Sequence, residues 1–344
     1  MYKNILRPLL FLLQPETIHH LIVNFLKIGF KIPGIGFLVN KLYTLKDKRL
    51  KTSFLGMEFD NPIGFAAGFD KNAEVFNQFT NFGFSFIEIG TVTPVPQSGN
   101  PKPRSFRIPK DKGLINRMGF NNKGVDFAVN QLKNKQHKSI IGGNIGKNTA
   151  TANNDALNDY VVCFQKLYDY VDYFVVNLSC PNIKDLRKLQ DKDSTITILN
   201  ELTKIRRSKS SQKPILLKIS PDLTNDQLDD VVETFNITGI DGLVATNTTV
   251  LRNNLTTNED RIKEIANGGL SGKPLTKRST EIIRYISDKT NRSIPIIGVG
   301  GIMTVEDALE KLDAGATLIQ LYSGFIYEGP GFVKKINKAI LKSK

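Results

Sequence analysis

The chain has 344 residues, 40% of them apolar and 23% charged, with 47 Lys+Arg against 33 Asp+Glu for a net charge of +14. That balance excludes a disordered, collagen-like or polytopic membrane chain, and the length allows one large domain or two ordinary ones. Two cysteines (Cys163 and Cys180) without a CxxC, and three histidines, argue against a disulfide scaffold, a metal site and a Ser-His-Asp triad.

Residues 1–50 carry +6 of the net charge in about a seventh of the chain. Between residues 17 and 31 the polar positions His20, Asn24, Lys27 and Lys31 recur at helical steps in an otherwise apolar sequence. Five apolar residues, 9–13, precede Pro15, which is expected to break the run. No uncharged stretch reaches the ~18 residues of a membrane span, and no cleavage site follows. Residues 1–48 therefore read as two short amphipathic helices. They would either lie on a membrane surface with Lys and Arg toward anionic headgroups, or pack as a hairpin on the rest of the protein. The periodicity fits both.

From residue 49 to 344 the pattern changes. A hairpin over 52–61 leads to eight strand candidates: 63–66, 84–90, 140–145, 173–178, 215–219, 242–246, 294–299 and 317–321. Most are continuous apolar runs, as in parallel strands buried on both faces. Helical segments fall between them at 157–170, 195–207, 224–235, 276–288 and 305–314, with Thr304 as an N-cap for the last. Eight such units predict an α/β protein, a (β/α)8 TIM barrel with an N-terminal helical extension. A doubly wound sheet is the alternative.

Barrel chemistry sits at the C-terminal strand ends, and these read AGFDKN, GTVTP, GNIGKN, NLSCPN, LKISPDL, ATNTT, GVGGI and LYSGF, with NRMGFNN in the long insert after the second strand. Gly300–Gly301 and Ser323–Gly324, after the last two strands, suit a phosphate whose oxygens approach backbone N–H groups. Asn116, Asn144, Asn177, Asn182, Asn247, Thr91, Thr246 and Thr248 crowd the same ends. Amides offer both donor and acceptor, matching a ring with alternating N–H and C=O edges, such as a pyrimidinedione or a flavin. Lys71 and Lys218 stand where an unpaired ammonium is costly, so a bound anion or developing negative charge would compensate them; an ion pair such as Lys71 with Asp70 is the plainer alternative. With no histidine at a strand end, the general base is Cys180, a Lys or a carboxylate. Cys163, inside an apolar helical pattern, reads as a core residue.

Taken in order, these motifs together with NPKPRSFR and GGLSGKPL resemble the dihydroorotate dehydrogenases, from the hairpin to the C-terminus. The resemblance implies an FMN barrel that oxidises dihydroorotate to orotate in pyrimidine biosynthesis. The N-terminal extension, with QPETIHH, looks like the membrane-associated class 2 enzymes that pass electrons to a quinone. It implies a peripheral protein on the cytoplasmic face of the cell membrane, attached through residues 1–48. Cys180 stands where class 2 usually has Ser and class 1, using fumarate or NAD, has Cys. FMN would be held by Ala67, Gly68, Lys71, Thr91, Asn144, Asn177, Lys218, Thr246, Gly272, Gly301, Tyr322 and Ser323. The substrate would be gripped by Lys71, Asn116, Arg117, Met118, Gly119, Phe120, Asn177, Asn182, Asn247 and Thr248. Cys180 would take the C5 proton and Lys218 would stabilise negative charge on the reduced flavin; residues 181–193 would form a lid, and Arg107 would lie at the inner end of a quinone tunnel. The tRNA dihydrouridine synthases, basic FMN barrels with a Cys-Pro strand end, are the rival class. They append an RNA-binding domain, whereas this chain ends about 20 residues past LYSGF, so no nucleic-acid partner is expected.

Overall fold

The computed structural model describes residues 2–136, 139–179 and 192–343. Tyr2–Leu6 forms a wide helical turn running into α1 (Arg7–Phe11), followed by α2 (Pro15–Gly29) and α3 (Ile35–Tyr43). Two helices are expected here and three are found. Pro15 opens α2 rather than merely ending a run, since its missing N–H is no loss at the first helical turn. Gly34, at a left-handed φ of 86°, turns the chain and lets a further helix restart.

The expected hairpin is β1 (Thr52–Phe54) with β2 (Met57–Phe59). Eight parallel strands then close into a barrel: β3 (Ile63–Phe65), β4 (Phe86–Val92), β7 (Ile140–Ile145), β8 (Tyr173–Asn177), β9 (Ile215–Ile219), β10 (Gly242–Ala245), β12 (Ile296–Val299) and β13 (Leu318–Leu321), the last returning to β3. Each coincides with a strand expected from the sequence. The covering helices are α4 (Phe76–Phe79), α5 (Val125–Leu132), α6 (Ala156–Leu167), α7 (Lys192–Arg207), α8 (Asn225–Thr238), α10 (Thr276–Lys289), α11 (Val305–Asp313) and α13 (Phe332–Ser343). Thr304 caps α11, its hydroxyl accepting from the Asp307 N–H while the Asp307 carboxylate accepts from the Thr304 N–H. The sequence reading did not place α4, α5, α13 or α12 (Ser323–Glu328), nor the pieces of the inserts, β5 (Ser105–Ile108), β6 (Gly113–Asn116), α9 (Glu259–Ile265) and β11 (Gly269–Gly272). β11, β6 and β5 form a small antiparallel sheet joining two inserts far apart in sequence, a pairing that local pattern does not encode.

The barrel interior follows from alternation along its strands. Its lower layer is apolar: Phe86, Tyr173, Val175, Leu216, Val244, Ile297 and Leu318 pack on Phe54 and Phe59 of the hairpin, which plugs the bottom. Gly142 faces inward because Tyr173 fills the space; a Cβ there would lie 2.3 Å from the phenol ring. Removing the fully buried Phe86 ring would cost about 3–5 kcal/mol. Two residues onward on the same strands, the same inward parity brings Glu88, Asn144, Asn177, Lys218, Thr246 and Gln320 into one polar layer. The larger core lies outside the strands, against the helices. Cys163 belongs to it, fully buried with its thiol 3.7 Å from the Val92 carbonyl, and burial pushes that thiol well above its ordinary pKa.

Candidate active site

The polar layer is one connected network. Asn144 donates to Glu88 Oε1 (2.7 Å) and its Oδ1 accepts from the Thr91 hydroxyl (2.6 Å) and the Asn177 amide (3.4 Å). Asn177 Oδ1 accepts from Asn247 Nδ2 (3.2 Å), whose own Oδ1 accepts the Thr248 N–H (2.9 Å). Ser179 ties the end of β8 to its neighbours, donating to the Lys218 carbonyl (2.9 Å) and accepting from Asn247 (3.0 Å). Lys218 Nζ stands 3.9 Å from Glu88 Oε1, both side chains nearly or fully buried. Glu88 also accepts from Gln320 Nε2 (2.6 Å).

Above this floor lies a cavity of about 670 Å³. It is lined by Ala67, Gly68, Lys71, Thr91, Asn177, Lys218, Thr246, Gly272, Gly301, Tyr322 and Ser323 of the expected cofactor set, and by Asn116, Met118, Gly119, Phe120, Asn247 and Thr248 of the expected substrate set. Asn144 sits one shell behind, holding Thr91 and Asn177. Gly301 (φ 71°) brings the turn after β12 against the start of α10; a Cβ there would come within 2.3 Å of the Thr276 backbone. Ser271 and Ser323 hydroxyls meet at 2.9 Å beside it. Burial raises the Tyr322 phenol to about 12.

Lys71 does not pair with Asp70. The Asp70 carboxylate instead accepts the Glu74 and Val75 N–H groups at 2.7 and 2.9 Å. Among the described residues the Lys71 ammonium has no hydrogen-bond or ion-pair partner, and burial pulls it down to about 8, with Arg104 adding to the effect and Glu16 opposing it. Among the described residues Arg117 is the one expected substrate residue whose side chain is turned away from the cavity. Its guanidinium donates to the Ile265 carbonyl, to the Asn267 carbonyl (3.3 Å) and to the Pro103 carbonyl (3.2 Å), and stacks on Phe106 at 4.7 Å. These carbonyls belong to the end of α9 and to the loops leading into β11 and β5, an assembly invisible to a motif-by-motif reading. Cys180, Asn182 and most of the expected lid lie outside the described residues.

The opposite wall of the same cavity comes from the N-terminal helices. Ile18, Ile22 and Leu26 recur every four residues on α2, with His19 alongside and Leu6, Leu10 and Phe11 from the preceding segment. His19 packs edge-on against Phe69 (4.5 Å), and burial drives it down to about 3, so it is neutral. Arg107 lines the cavity, donating to the Leu13 carbonyl (2.5 Å) and the Phe11 carbonyl (3.3 Å) with its guanidinium 4.4 Å from the Phe11 ring. Glu16, at the start of α2, is clamped by Arg104 at 2.7 and 3.1 Å. Arg104 thereby fixes the helix to the barrel insert, an anchor that sequence reading missed. Glu88 and Gln320 were also missed. A lone acid inside the apolar run FIEIG was the available signal, since a buried charge requires partners.

The comparisons with known proteins agree with one another. The sequence model described as dihydroorotate dehydrogenase matches residues 49–343. A relative from Christiangramia forsetii, named dihydroorotate dehydrogenase (quinone), is 54% identical over 99% of both chains. One from Bartonella tribocorum with the same name is 45% identical, covering 99% of this chain and 92% of its own. The solved DHODH of Eimeria tenella in complex with ferulenol is 34% identical, with a TM-score of 0.86 over 96% of this chain and 91% of that one. The chain belongs to the dihydroorotate dehydrogenase family.

Proposed function

We propose that this protein oxidises dihydroorotate to orotate at the polar floor of the cavity, through FMN, and passes the electrons to a membrane quinone along the apolar wall. The observation that carries this reading is that one cavity is continuous from the barrel's amide-rich strand ends to the slot between the N-terminal helices.

The residues present suit FMN. Lys71, whose ammonium has no partner among the described residues, faces the cavity at one side, glycine turns line another, and an ordered row of amides and hydroxyls matches a ring with alternating donors and acceptors. Ala67, Gly68, Lys71, Thr91, Asn144, Asn177, Lys218, Thr246, Gly272, Gly301, Tyr322 and Ser323 would hold it. FMN supplies the two-electron acceptor that no side chain can provide. Lys218 stabilises negative charge developing beside it. Lys71, Asn116, Asn177, Asn247 and Thr248 bind and orient the substrate, with Asn182 following in the segment after β8. Cys180, next in sequence to the anchored Ser179, takes the substrate's C5 proton; a thiol near positive charge suits that task at neutral pH. Met118, Gly119 and Phe120 exclude water above the ring.

Residues 1–48 form the membrane-facing unit and 49–344 the catalytic one. Twelve of the sixteen exposed large apolar side chains among the described residues fall between Ile5 and Leu42. A patch of that kind supports a lipid surface as its partner. Among the described residues no single helix is long and apolar enough to cross a membrane; Tyr2–Phe11 and Pro15–Gly29 reach the composition together but are bent by 117°. We place the protein peripherally, on the cytoplasmic face of the cell membrane. Steady-state oxidation of dihydroorotate with a quinone, fumarate and NAD compared side by side tests the acceptor. Quinone alone should sustain turnover, and activity with fumarate or NAD instead would overturn the assignment.

A further inference from the structure

The buried carboxylate of Glu88 does not itself line the cavity and reaches it only through Lys218, Gln320 and Asn144, yet the amides of Asn144 and Asn177 take their order from it. A carboxylate only accepts hydrogen bonds, whereas an Asn or Gln amide can present either edge. Glu88 is fully buried on β4 and takes the Asn144 NH2 on one oxygen and the Gln320 NH2 on the other. With its NH2 committed downward, Asn144 must turn its carbonyl toward Thr91 and Asn177. Asn177 must then offer its NH2 to Asn144 and Thr91 (3.1 Å) and its carbonyl to Asn247. Asn247 in turn offers its NH2 to Asn177 and Ser179 and its carbonyl to the Thr248 N–H. The hydrogen-bond sense thus runs from one interior acid to the substrate-facing edge.

We infer that Glu88 is a positioning residue that sets the donor–acceptor sense of Asn144 and Asn177, and with it the amide edge that Asn177 presents to orotate. The inference rests on reading the cavity as the FMN and dihydroorotate site. FMN content and an orotate titration of the wild-type protein test that reading separately. Gln at position 88 keeps the shape but removes the acceptor-only terminus, so the Asn144–Asn177 end of the row can invert, while the Thr248 N–H still holds the Asn247 carbonyl at the other end.

The test uses the full-length, FMN-loaded protein. Glu88→Gln should retain FMN stoichiometry and melting temperature, while orotate, followed by its perturbation of the flavin spectrum, binds about tenfold or more weakly. A purely structural role would instead lower the melting temperature and leave orotate affinity intact in the loaded fraction; that result would overturn the inference. The swapped pair Glu88→Gln/Gln320→Glu supplies the second arm. The relocated carboxylate takes the NH2 of the new Gln, whose carbonyl again faces Asn144, so the original sense returns and orotate affinity should recover to within about threefold of wild type. If the single variant fails to load FMN, the swapped protein decides alone. A loaded swapped protein that still binds orotate tenfold more weakly overturns the inference.

Discussion

The two sides of the cavity are built on opposite principles. The floor comes from six barrel strands and is a closed set of hydrogen bonds, each side chain fixed by the next, from Glu88 and Gln320 up to Asn247 and Thr248. The wall comes from the N-terminal helices and is apolar, held to the barrel by a few polar anchors: Arg104 on Glu16, Arg107 on the Leu13 carbonyl, and Arg7 on the Tyr327 carbonyl at 3.0 Å. A rigid polar floor suits a reaction in which charge moves and donors must already be in place. An apolar wall with little directional bonding suits a greasy acceptor that enters and leaves. Under the function proposed above, the contrast places the chemistry on one side and exchange with the membrane on the other.

Separating the sides is the sharpest way to break this contrast. Deleting residues 1–48 should abolish oxidation by a long-chain quinone while dihydroorotate still bleaches the flavin. Full quinone activity in the truncated protein would show that the wall has no part in electron transfer. Damage to the floor should have the opposite signature. Lys218→Met is expected to slow flavin reduction by dihydroorotate about 10²–10³-fold in stopped-flow, with re-oxidation by quinone much less affected. Cys180→Ser should keep FMN but slow the same step about 10²-fold and raise the pH needed for turnover, because a hydroxyl is the weaker acid; an unchanged pH–rate profile would remove Cys180 as the base.

Two smaller effects sharpen the picture. Lys71 is pulled down to about 8 by burial, so its charged form is lost as pH rises through that value. Anion binding favours the ammonium, and orotate affinity should therefore be flat below pH 8 and weaken by up to tenfold per unit above it. A pH-independent Kd to pH 9.5 would place the anion elsewhere. Last, Phe37, three-quarters exposed on α3 and absent from the cavity lining, should matter only to the membrane. Phe37→Ser is expected to weaken sedimentation with anionic vesicles about tenfold while leaving dihydroorotate-dependent flavin reduction as it was.

The barrel was legible in the sequence, and so was the end of it at which site residues are expected. Eight apolar runs separated by helical periods admit few packings, and glycines, amides and lysines at strand ends carry local chemical signatures. Cys163 could likewise be assigned to the core from its helical pattern alone. The tertiary structure decided everything that depends on non-local pairing. It joined β11 to β6 and β5, turned Arg117 outward onto carbonyls of the segments that flank that sheet, and left Lys71 without the Asp70 partner that adjacency suggested. It also made Glu88 the origin of the amide order, by setting β4 between β3 and β7 and bringing Gln320 across from β13. The physical reason is that apolar periodicity is written along one segment, whereas the sense of a hydrogen bond belongs to two segments and exists only once they meet.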